Sequence, residues 1–360
     1  MKIVICGLSI TSSWGNGHAT TYRALVRALN ARGHEIVFFE RDLEWYASNR
    51  DMPEPPFCRV HIYESWPEVQ PLLRHELADA DVAMVGSYFP DSVGAIATVL
   101  DSNAAVKTFY DIDTPITVSK LRAGGAEYLT RERLRDFDIY FSFTGGPMLR
   151  ELEDDFGAKR AVPLYCSFDP DRYRMSEPEE RFRCDLSYMG TYAADRQPKL
   201  EELLCQPASH LPEKTFIVAG PQYPADICWP KNVKRIIHLE PKLHPPFYSS
   251  SRFTLNLTRK DMIDAGYSPS VRLFEAAGCG AAIISDEWQG IETFFTPGEE
   301  ILLAGSTAAV DRYLTQLSAP EAEMIGLRAQ ERVIAEHSAE KRAIQFEDFV
   351  GARSLSRQCA

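Results

Sequence analysis

Short apolar runs alternate with longer amphipathic segments along most of the chain. Residues 3–6 form a predicted strand, and a polar, glycine-containing loop separates them from residues 18–31. Four apolar positions of that second segment fall on one helical face: Tyr22, Leu25, Val26 and Leu29. Residues 36–39 then form a second predicted strand. The chain therefore opens as a strand–helix–strand unit, which is typical of a parallel sheet covered by helices.

The same plan runs through two successive halves of the chain. In the first half, further strands are predicted at residues 82–85, 106–110, 139–143 and 161–165. In the second half, strands are predicted at residues 186–189, 216–219, 235–239, 253–257, 281–285 and 301–304, with helical segments over 196–205 and 307–350. Residues 166–184 contain two prolines and follow neither period, which indicates an interdomain connection.

This organisation predicts two α/β domains. They are expected over residues 1–166 and 184–335, with a linker over 167–183 and a C-terminal segment over 336–360. Ligands of such sheets bind at the carboxyl ends of the strands, so we expect a site in a cleft between the two domains.

Composition narrows the class of protein. Hydrophobic residues make up 45% of the 360 and charged residues 25%, which excludes an intrinsically disordered chain. The formal net charge of −12 argues against a nucleic-acid binder and against attraction to anionic membranes. The eight cysteines include no C-x-x-C pair, so we interpret them as reduced thiols of a cytoplasmic protein.

No apolar run approaches the ~20 residues that a membrane-spanning helix needs. The first ten residues contain one lysine and an interrupted apolar stretch, which resembles a weak signal peptide. A first buried strand is the preferred interpretation, because no small-residue cleavage site follows.

The first candidate site is the segment Trp14-Gly15-Asn16-Gly17-His18. Glycines let a backbone approach a ligand closely, and the free amides of a following helix favour a negative group. The glycine spacing is not that of the dinucleotide-binding fingerprint. His18 is a candidate general base, and the alternative is a capping or solvated histidine in a turn.

The second candidate site is residues 267–286, YSPSVRLFEAAGCGAAIISD. Ser268 and Pro269 suit the start of a short helix, whose first amides could bind a diphosphate. Arg272 and Glu275 are three residues apart and therefore neighbours on one helical face. The arginine is expected to meet a phosphate and the glutamate a ribose diol; the alternative is a surface ion pair.

The third candidate follows the first predicted strand of the second half. Gly190 and Thr191 form its loop, and Arg196 could donate a charge-assisted hydrogen bond to a phosphate oxygen. Arg259 and Lys260, which follow the strand at 253–257, are alternatives for the same role.

The fourth candidate is the pair Asp111 and Asp113, which follows the strand at 106–110. Such a pair can hold a divalent cation in some sugar-nucleotide enzymes. It lies in the half away from the expected phosphate site, so a metal is the disfavoured interpretation. Asp113 is instead expected to orient an acceptor, act as a base, or cap a turn before Pro115.

Seven segments spread over nearly the whole chain carry a family resemblance: GLSITSSWGNGHATTYRALVRAL, FYDIDTP, FSFTGGPML, LYCSFDPD, YMGTYAADRQPKL, FTLNLTR and SVRLFEAAGCGAAIISDEWQGIETFFTPGEEI. Together they resemble the CgeB-like (spore-maturation type) glycosyltransferases, and the last segment is the most specific. The resemblance implies a GT-B fold, in which two doubly wound Rossmann-type domains face each other across a cleft. It also implies a C-terminal helix that crosses back to the first domain, and a nucleotide-diphosphate sugar used without a metal.

The resemblance also implies roles for individual residues. Glu275 would hold the nucleotide ribose, while Arg272 and the amides near Ser270 and Val271 would meet the diphosphate. Asn16, Gly17 and His18 would face the transferred sugar. Related GT-B families carry another glutamate eight positions before the one that corresponds to Glu275. In this chain Tyr267 occupies that position. The resemblance therefore implies neither the identity of the transferred sugar nor a retaining mechanism.

The prediction is a metal-independent glycosyltransferase of the hexosyltransferase type. Its donor is expected to be a UDP- or dTDP-linked sugar, with no other cofactor, and its acceptor a carbohydrate or small-molecule hydroxyl. His18 is the predicted base and Asp113 the second candidate. No nucleic-acid partner is expected.

Three alternatives remain open from the sequence. A nucleotide-sugar epimerase could share the fold, and a coat or scaffold protein could keep it without activity. A nicotinamide-dependent oxidoreductase is disfavoured by the glycine spacing, although Glu40 ends the second strand where a ribose-binding acid could lie.

Overall fold

The computed structural model describes residues 1–14 and 17–358. The chain divides into two compact units. The first comprises Met1–Cys166 together with Ala339–Ala360, and the second comprises Ser167–Ser338. No helix in the described ranges is both long and apolar enough to cross a membrane.

Seven strands form the sheet of the first unit: β1 Lys2–Cys6, β2 Glu35–Arg41, β3 Arg59–Tyr63, β4 Val82–Gly86, β5 Val106–Asp111, β6 Ile139–Ser142 and β7 Ala161–Pro163. All are parallel, in the order β3-β2-β1-β4-β5-β6-β7. The central strands are buried on both faces, as their continuous apolar sequence predicts.

Seven helices connect these strands: α1 Gly17–Ala31, α2 Glu44–Ala47, α3 Trp66–Leu77, α4 Ser92–Leu100, α5 Thr114–Arg122, α6 Arg131–Leu134 and α7 Pro147–Asp154. The predicted apolar face of α1 is buried, with Tyr22, Leu25, Val26 and Leu29 all in the core. Residues 17 and 18 therefore begin a helix that the sheet holds firmly at the carboxyl end of β1.

The second unit contains six parallel strands: β8 Cys184–Met189, β9 Phe216–Ala219, β10 Val233–Ile236, β11 Ser251–Asn256, β12 Ala282–Ser285 and β13 Leu302–Leu303. Their order is β10-β9-β8-β11-β12-β13. Seven helices accompany them: α8 Gln197–Leu200, α9 Gln206–His210, α10 His244–Ser250, α11 Lys260–Ala265, α12 Val271–Gly278, α13 Thr307–Gln316 and α14 Ala319–Glu336. Short 3₁₀ turns lie at Glu180–Phe182, Pro241–Leu243 and Ile291–Thr293.

The final helix, α15 Ala339–Gln358, returns to the first unit. Ala343, Phe346 and Val350 lie in the core of that unit, and the Phe346 ring centroid is 5.3 Å from that of Phe141. Glu347 accepts hydrogen bonds of 2.7 Å from both Nε and Nη2 of Arg32. The expected crossing of the C-terminal helix is therefore confirmed.

Residues 167–183, the predicted linker, are part of the second unit. The backbone amides of Ser176 and Glu179 donate to the hydroxyls of Ser249 (3.1 Å) and Ser250 (2.8 Å) on α10. This segment therefore packs along the second unit although its sequence follows no helical or strand period.

Three details of the secondary structure differ from the prediction. The strand β3 was not predicted, because this edge strand is half exposed and carries polar residues such as Arg59 and His61 in place of an apolar run. The strand predicted at 235–239 lies at Val233–Ile236, and Ile237 is 75% exposed. The helix predicted at 196–205 is present, but its second half is a π-helix over Glu201–Cys205 that ends two residues before Pro207, whose ring nitrogen has no hydrogen to donate.

Candidate functional site

The start of α12 meets the carboxyl ends of two strands of the second unit. Arg272, on the first turn of α12, is half buried. Its Nε donates to the carbonyl oxygen of Met189 at the end of β8, at 2.5 Å. Its Nη1 donates to Oδ1 of Asn256 at the end of β11, at 3.2 Å, and its guanidinium carbon lies 5.3 Å from the centre of the Tyr188 ring. The predicted phosphate-binding arginine is therefore fixed at the edge of the sheet where ligands of such folds bind.

Asn256 organises this edge and was not predicted from the sequence. It is 1% exposed, and its Oδ1 also accepts a hydrogen bond from the Ser270 hydroxyl at 2.8 Å. Its Nδ2 donates to the Ser285 hydroxyl at the end of β12, at 3.0 Å. One amide therefore joins two neighbouring strands to the beginning of α12. A polar residue at the end of a buried strand was the available signal.

The helix α12 begins without a side-chain cap. Ser270 occupies the N-cap position, but its hydroxyl donates to Asn256 and accepts no bond from the amides of the helix. Val271 is the first helical residue. Uncapped amides at the start of a helix suit an anionic ligand.

Glu275 lies one turn further along α12 and is buried. Burial raises the pKa of its carboxyl group to about 7, although a hydrogen bond from Tyr173 and the nearby charges of Arg172 and Arg272 favour the ionised form. Arg272 and Glu275 do not form a direct ion pair among the contacts of the described residues. The alternative interpretation, a surface ion pair, is therefore wrong: one residue is half buried and the other buried.

The loop after β8 brings a second guanidinium to the same edge. Nη2 of Arg196 donates to the carbonyl oxygen of Thr191 at 2.7 Å. Burial lowers the pKa of Arg196, and the positive charges of Arg272 and Arg259 lower it further. Across residues 1–14 and 17–358, no carboxylate forms an ion pair with any of these three arginines. We call the side chains of Arg196, Arg259 and Arg272 the positive cluster.

Gly190 lies directly against this cluster. A Cβ atom at residue 190 would lie 3.0 Å from Nη2 of Arg272 and 2.7 Å from the Tyr188 hydroxyl. A glycine at this position therefore keeps Arg272 close to the strand end. Lys260, the other alternative from the sequence, instead forms an ion pair with Asp264 at 2.7 Å.

Tyr267 occupies the position where related families carry a second glutamate. Its φ of 47° is in the left-handed region, and its amide donates to the carbonyl oxygen of Gln289 at 2.6 Å. Its ring lies against Gly290, where a Cβ atom would come within 2.4 Å of the ring. The Tyr267 ring therefore fills the space beside Gly290.

The first unit joins two of the predicted residues. His18, near the start of α1, and Asp113, after β5, are 95 residues apart in sequence, and Nε2 of His18 lies 2.8 Å from Oδ2 of Asp113. The same carboxylate oxygen accepts a hydrogen bond from the Ser87 hydroxyl at 3.1 Å. Nδ1 of His18 is buried and has no hydrogen-bond partner among the described residues. Asn16, the other polar residue predicted here, lies outside the described residues, and Gly17 begins α1 with open space around it.

A strained residue lies beside this pair. Tyr88 has a φ of 56°, which a residue with a large side chain rarely adopts. Its ring centroid is 6.2 Å from that of His18, edge to face, and 4.6 Å from that of Tyr128. Neither Ser87 nor Tyr88 was predicted as a site residue. Strain of this kind is concentrated at functional sites.

Asp111 is engaged within the protein. It accepts hydrogen bonds from the Tyr140 hydroxyl, from the Thr117 hydroxyl at 2.8 Å and from the amide of Asp113 at 3.1 Å. Burial raises the pKa of Asp111 to about 7. In the part of the chain that the structure describes, no three His, Cys, Asp or Glu side chains form a group that could hold a metal ion.

Glu40, the candidate ribose-binding acid of the oxidoreductase alternative, has a different role. It is fully buried and accepts hydrogen bonds from the amides of Ile10 (2.6 Å) and Thr11 (3.0 Å) and from the hydroxyls of Ser9 (3.1 Å) and Thr11 (2.6 Å). These bonds fix the loop after β1 and leave little of the carboxylate for a ribose.

Residues 196–348, less than half of the chain, match the model of a family described as glycosyl transferase-like. No curated protein matches the sequence. Sucrose-phosphate synthase from Thermosynechococcus elongatus is similar in structure, with 14% identity, a TM-score of 0.69 and coverage of 100% of this chain and 99% of that one.

Two further solved structures have the same architecture. HepE from Anabaena, in complex with UDP and glucose, is 11% identical with a TM-score of 0.70, covering 98% of this chain and 100% of its own. An α-glucosyltransferase in complex with UDP-glucose and DNA containing an abasic site is 11% identical with a TM-score of 0.70, covering 97% and 98%. At these identities the likeness shows the fold. The predicted GT-B fold, with a parallel α/β sheet in each unit, is confirmed.

Proposed function

We propose that this protein is a glycosyltransferase that moves a sugar from a UDP-linked donor to an acceptor hydroxyl. One observation carries the proposal: Arg272 lies on the first turn of the uncapped α12, one turn before the buried Glu275. Arg196 lies within electrostatic reach of Arg272 and Arg259, and no carboxylate of the described residues forms an ion pair with these arginines. Two kinds of similarity support it. The glycosyl transferase-like segment contains all four of these residues, and structurally similar proteins have been solved with UDP or UDP-glucose.

The arginines suit the diphosphate of such a donor. When the bond between the sugar and the diphosphate breaks, the leaving group gains negative charge. Arg196 and Arg272 can donate charge-assisted hydrogen bonds to it, and the amides of Ser270 and Val271 add their dipoles. Three guanidiniums supply positive charge where a metal ion would otherwise be needed, so we propose that transfer is metal-independent. In this proposal the protein backbone at Gly190 and Thr191, in the loop after β8, lies against the diphosphate of the donor.

Glu275 suits the ribose of the nucleotide. A carboxylate presents two acceptor oxygens, which match the two hydroxyls of a ribose diol. A diol that donates to Glu275 would replace the hydration that burial has removed. Uracil is the base we propose for the donor. Thymine, as in a dTDP-linked sugar, is the alternative, but its deoxyribose has no 2′-hydroxyl and would offer Glu275 one hydroxyl in place of a diol.

His18 is the proposed general base, with Asp113 as its partner. A neutral imidazole that donates from Nε2 to Asp113 has its lone pair on Nδ1, and Nδ1 has no partner among the described residues. The acceptor oxygen bonds to the anomeric carbon as the carbon–oxygen bond to the diphosphate breaks, and the acceptor proton passes to Nδ1. Asp113 then stabilises the imidazolium. We propose a hexosyl group as the transferred sugar, with Gly17 facing it. We also propose that the protein belongs to the CgeB-like subfamily, which its seven segments resemble, and that the acceptor is a carbohydrate or small-molecule hydroxyl.

Calorimetric titration with UDP, UDP-glucose and dTDP-glucose tests the donor site. We expect UDP binding in the wild type and a loss of at least about tenfold in Glu275→Ala, because a diol loses two hydrogen bonds to a charged group. Glu323→Ala, on the exposed face of α14, is the matched control and should bind as the wild type does. Absence of binding to every nucleotide, or equal affinity in Glu275→Ala and Glu323→Ala, would reject this assignment.

Incubation of the donor alone separates transfer from isomerisation. A transferase releases UDP only when an acceptor hydroxyl or water takes the sugar. Conversion of UDP-glucose into an isomeric UDP-sugar without UDP release would instead favour the epimerase alternative.

A further inference from the structure

The loop that follows β9 packs closely against the loop that follows β8. Its first residue, Gly220, has a φ of 145°, and a Cβ atom there would collide with the carbonyl oxygen of Gly190. Gln222 has a φ of 68° although its side chain is exposed. A residue other than glycine rarely adopts such a φ, and strain of this kind is concentrated at functional sites. The strained backbone leads directly into Tyr223.

Tyr223 fixes the peptide that joins Gly190 to Thr191. Its hydroxyl donates to the Gly190 carbonyl oxygen at 3.2 Å. None of the described peptide bonds is cis, and the carbonyl and N–H groups of a trans peptide point in opposite directions. The N–H of Thr191 therefore points away from the Tyr223 hydroxyl. Thr191 is exposed, and its N–H has no hydrogen-bond acceptor among the described residues.

The following peptide is also held, on both of its sides. The carbonyl oxygen of Thr191 accepts a hydrogen bond from Nη2 of Arg196 at 2.7 Å. The amide of Tyr192 donates to the carbonyl oxygen of Pro221 at 3.0 Å. Nε of Arg196 is buried and has no hydrogen-bond partner among the described residues. The Thr191 amide is therefore an unused donor on a fixed backbone, beside a guanidinium that has an unused donor of its own.

Arg235, at the end of β10, holds Tyr223 in place. Its guanidinium carbon lies 4.1 Å from the centre of the Tyr223 ring and 4.6 Å from that of Trp229. Its Nη1 donates to the carbonyl oxygen of Val218 at 2.8 Å, and its Nη2 donates to that of Gly220 at 3.0 Å. The ring of Tyr223 and the backbone before it are therefore both tied to one cation, which limits the directions in which the hydroxyl can point.

We propose that Tyr223 is a positioning residue, which holds the peptide between Gly190 and Thr191 so that the Thr191 amide donates a hydrogen bond to the diphosphate of the donor. This inference rests on the donor site proposed above and adds a backbone donor to the guanidiniums of the positive cluster. A donor whose direction is already fixed costs little reorganisation when the ligand binds. Gly190 and Tyr223 are 33 positions apart, so no motif in the sequence connects them.

Tyr223→Phe tests the hydroxyl, because phenylalanine keeps a ring over Arg235 and removes only the hydrogen bond to Gly190. The matched control is Tyr313→Phe, since the half-buried Tyr313 of the same unit also donates its hydroxyl to a carbonyl oxygen, that of Leu303, at 2.8 Å. In calorimetric titrations with UDP we expect Tyr223→Phe to lose about three- to tenfold in affinity. Tyr313→Phe should stay within about twofold of the wild type.

Nuclear magnetic resonance of protein with isotope-labelled threonine follows the Thr191 amide itself, and Thr191→Ser identifies its signal by the loss of that signal. In the wild type and in Tyr313→Phe, saturating UDP should move the amide proton downfield and slow its exchange with solvent. In Tyr223→Phe both changes should be smaller at saturation, because the peptide is no longer held. A purely structural role of the hydroxyl would not alter the response of this one amide once the site is full.

A Thr191 signal that does not respond to saturating UDP, or equal UDP affinities of Tyr223→Phe and Tyr313→Phe, would overturn the inference while leaving the donor site intact. A loss of affinity in Tyr223→Phe with the full Thr191 response at saturation would overturn it too, since the hydroxyl would then act by another route. Failure of the wild type itself to bind UDP would instead count against the proposed function.

Discussion

Because the carboxyl group of Glu275 is buried, we expect its ionisation to lower the free energy of unfolding of the protein. Burial raises its pKa to about 7 from an ordinary value of 4.5, so between these pH values the folded protein holds a proton that the unfolded chain releases. Stability therefore falls as pH rises from 4.5 to 7 and stays low above pH 7. The difference between the two pKa values corresponds to about 3 kcal/mol of destabilisation at pH 8.

Replacing Glu275 with glutamine removes this cost because the amide keeps the shape and never ionises. We expect Glu275→Gln to unfold at nearly the same temperature as the wild type at pH 4.5. At pH 8 it should be more stable by about 3 kcal/mol, a rise of roughly 6–12 °C for a unit of this size. The same variant should bind UDP-glucose weakly.

Differential scanning calorimetry of both proteins between pH 4.5 and 8 measures this effect. Subtracting one profile from the other removes the contribution of Asp111, which titrates near the same pH in the first unit. A constant difference across this range would show that Glu275 does not titrate within it and would refute the reasoning.

Two further predictions concern the first unit. His18→Gln should lower the rate of sugar transfer by about 10²–10⁴-fold while UDP affinity stays within about twofold, measured as UDP release with a panel of glycan acceptors and by titration; near-normal turnover would exclude His18 as the base. Phe346→Ala should destabilise the first unit by about 3–5 kcal/mol, because the ring is fully buried against Phe141. Hydrogen exchange should then rise in β1 and β5, whereas the exposed control Asp348→Ala should change little, and equal protection in both variants would contradict the assigned packing.

Much of the fold follows from local pattern. The apolar runs of the central strands and the face of α1 are local signals, and both predicted α/β halves are present. The edge strand β3 was missed because an edge needs only one buried face, and Arg59 and His61 interrupt its apolar pattern. Whether one face of an edge strand is buried depends on which strand it pairs with. A short stretch of sequence does not contain that information.

The candidate site was only partly predicted, because some of its residues are neighbours in sequence and others meet only in the folded protein. Arg272 and Glu275 are close in sequence, so helical spacing relates them directly. His18 and Asp113 were each selected separately, and only the fold brings Nε2 of His18 to 2.8 Å from Oδ2 of Asp113, although the two residues are 95 positions apart in sequence. Asn256 was not selected as a site residue, because its importance comes from hydrogen bonds to residues distant in sequence. The assignments of the catalytic and donor-binding residues stay predictions.

The return of α15 to the first unit has a consequence for biosynthesis. The second unit is one continuous stretch and can complete its core as soon as Ser338 has left the ribosome. The first unit, although made earlier, must wait for Ala343, Phe346 and Val350 before its core is closed. The second unit can therefore complete its folding before the first, whereas domains usually fold in the order in which they are synthesised. Until α15 has been made, the sheet of the first unit exposes the apolar surface that this helix later covers.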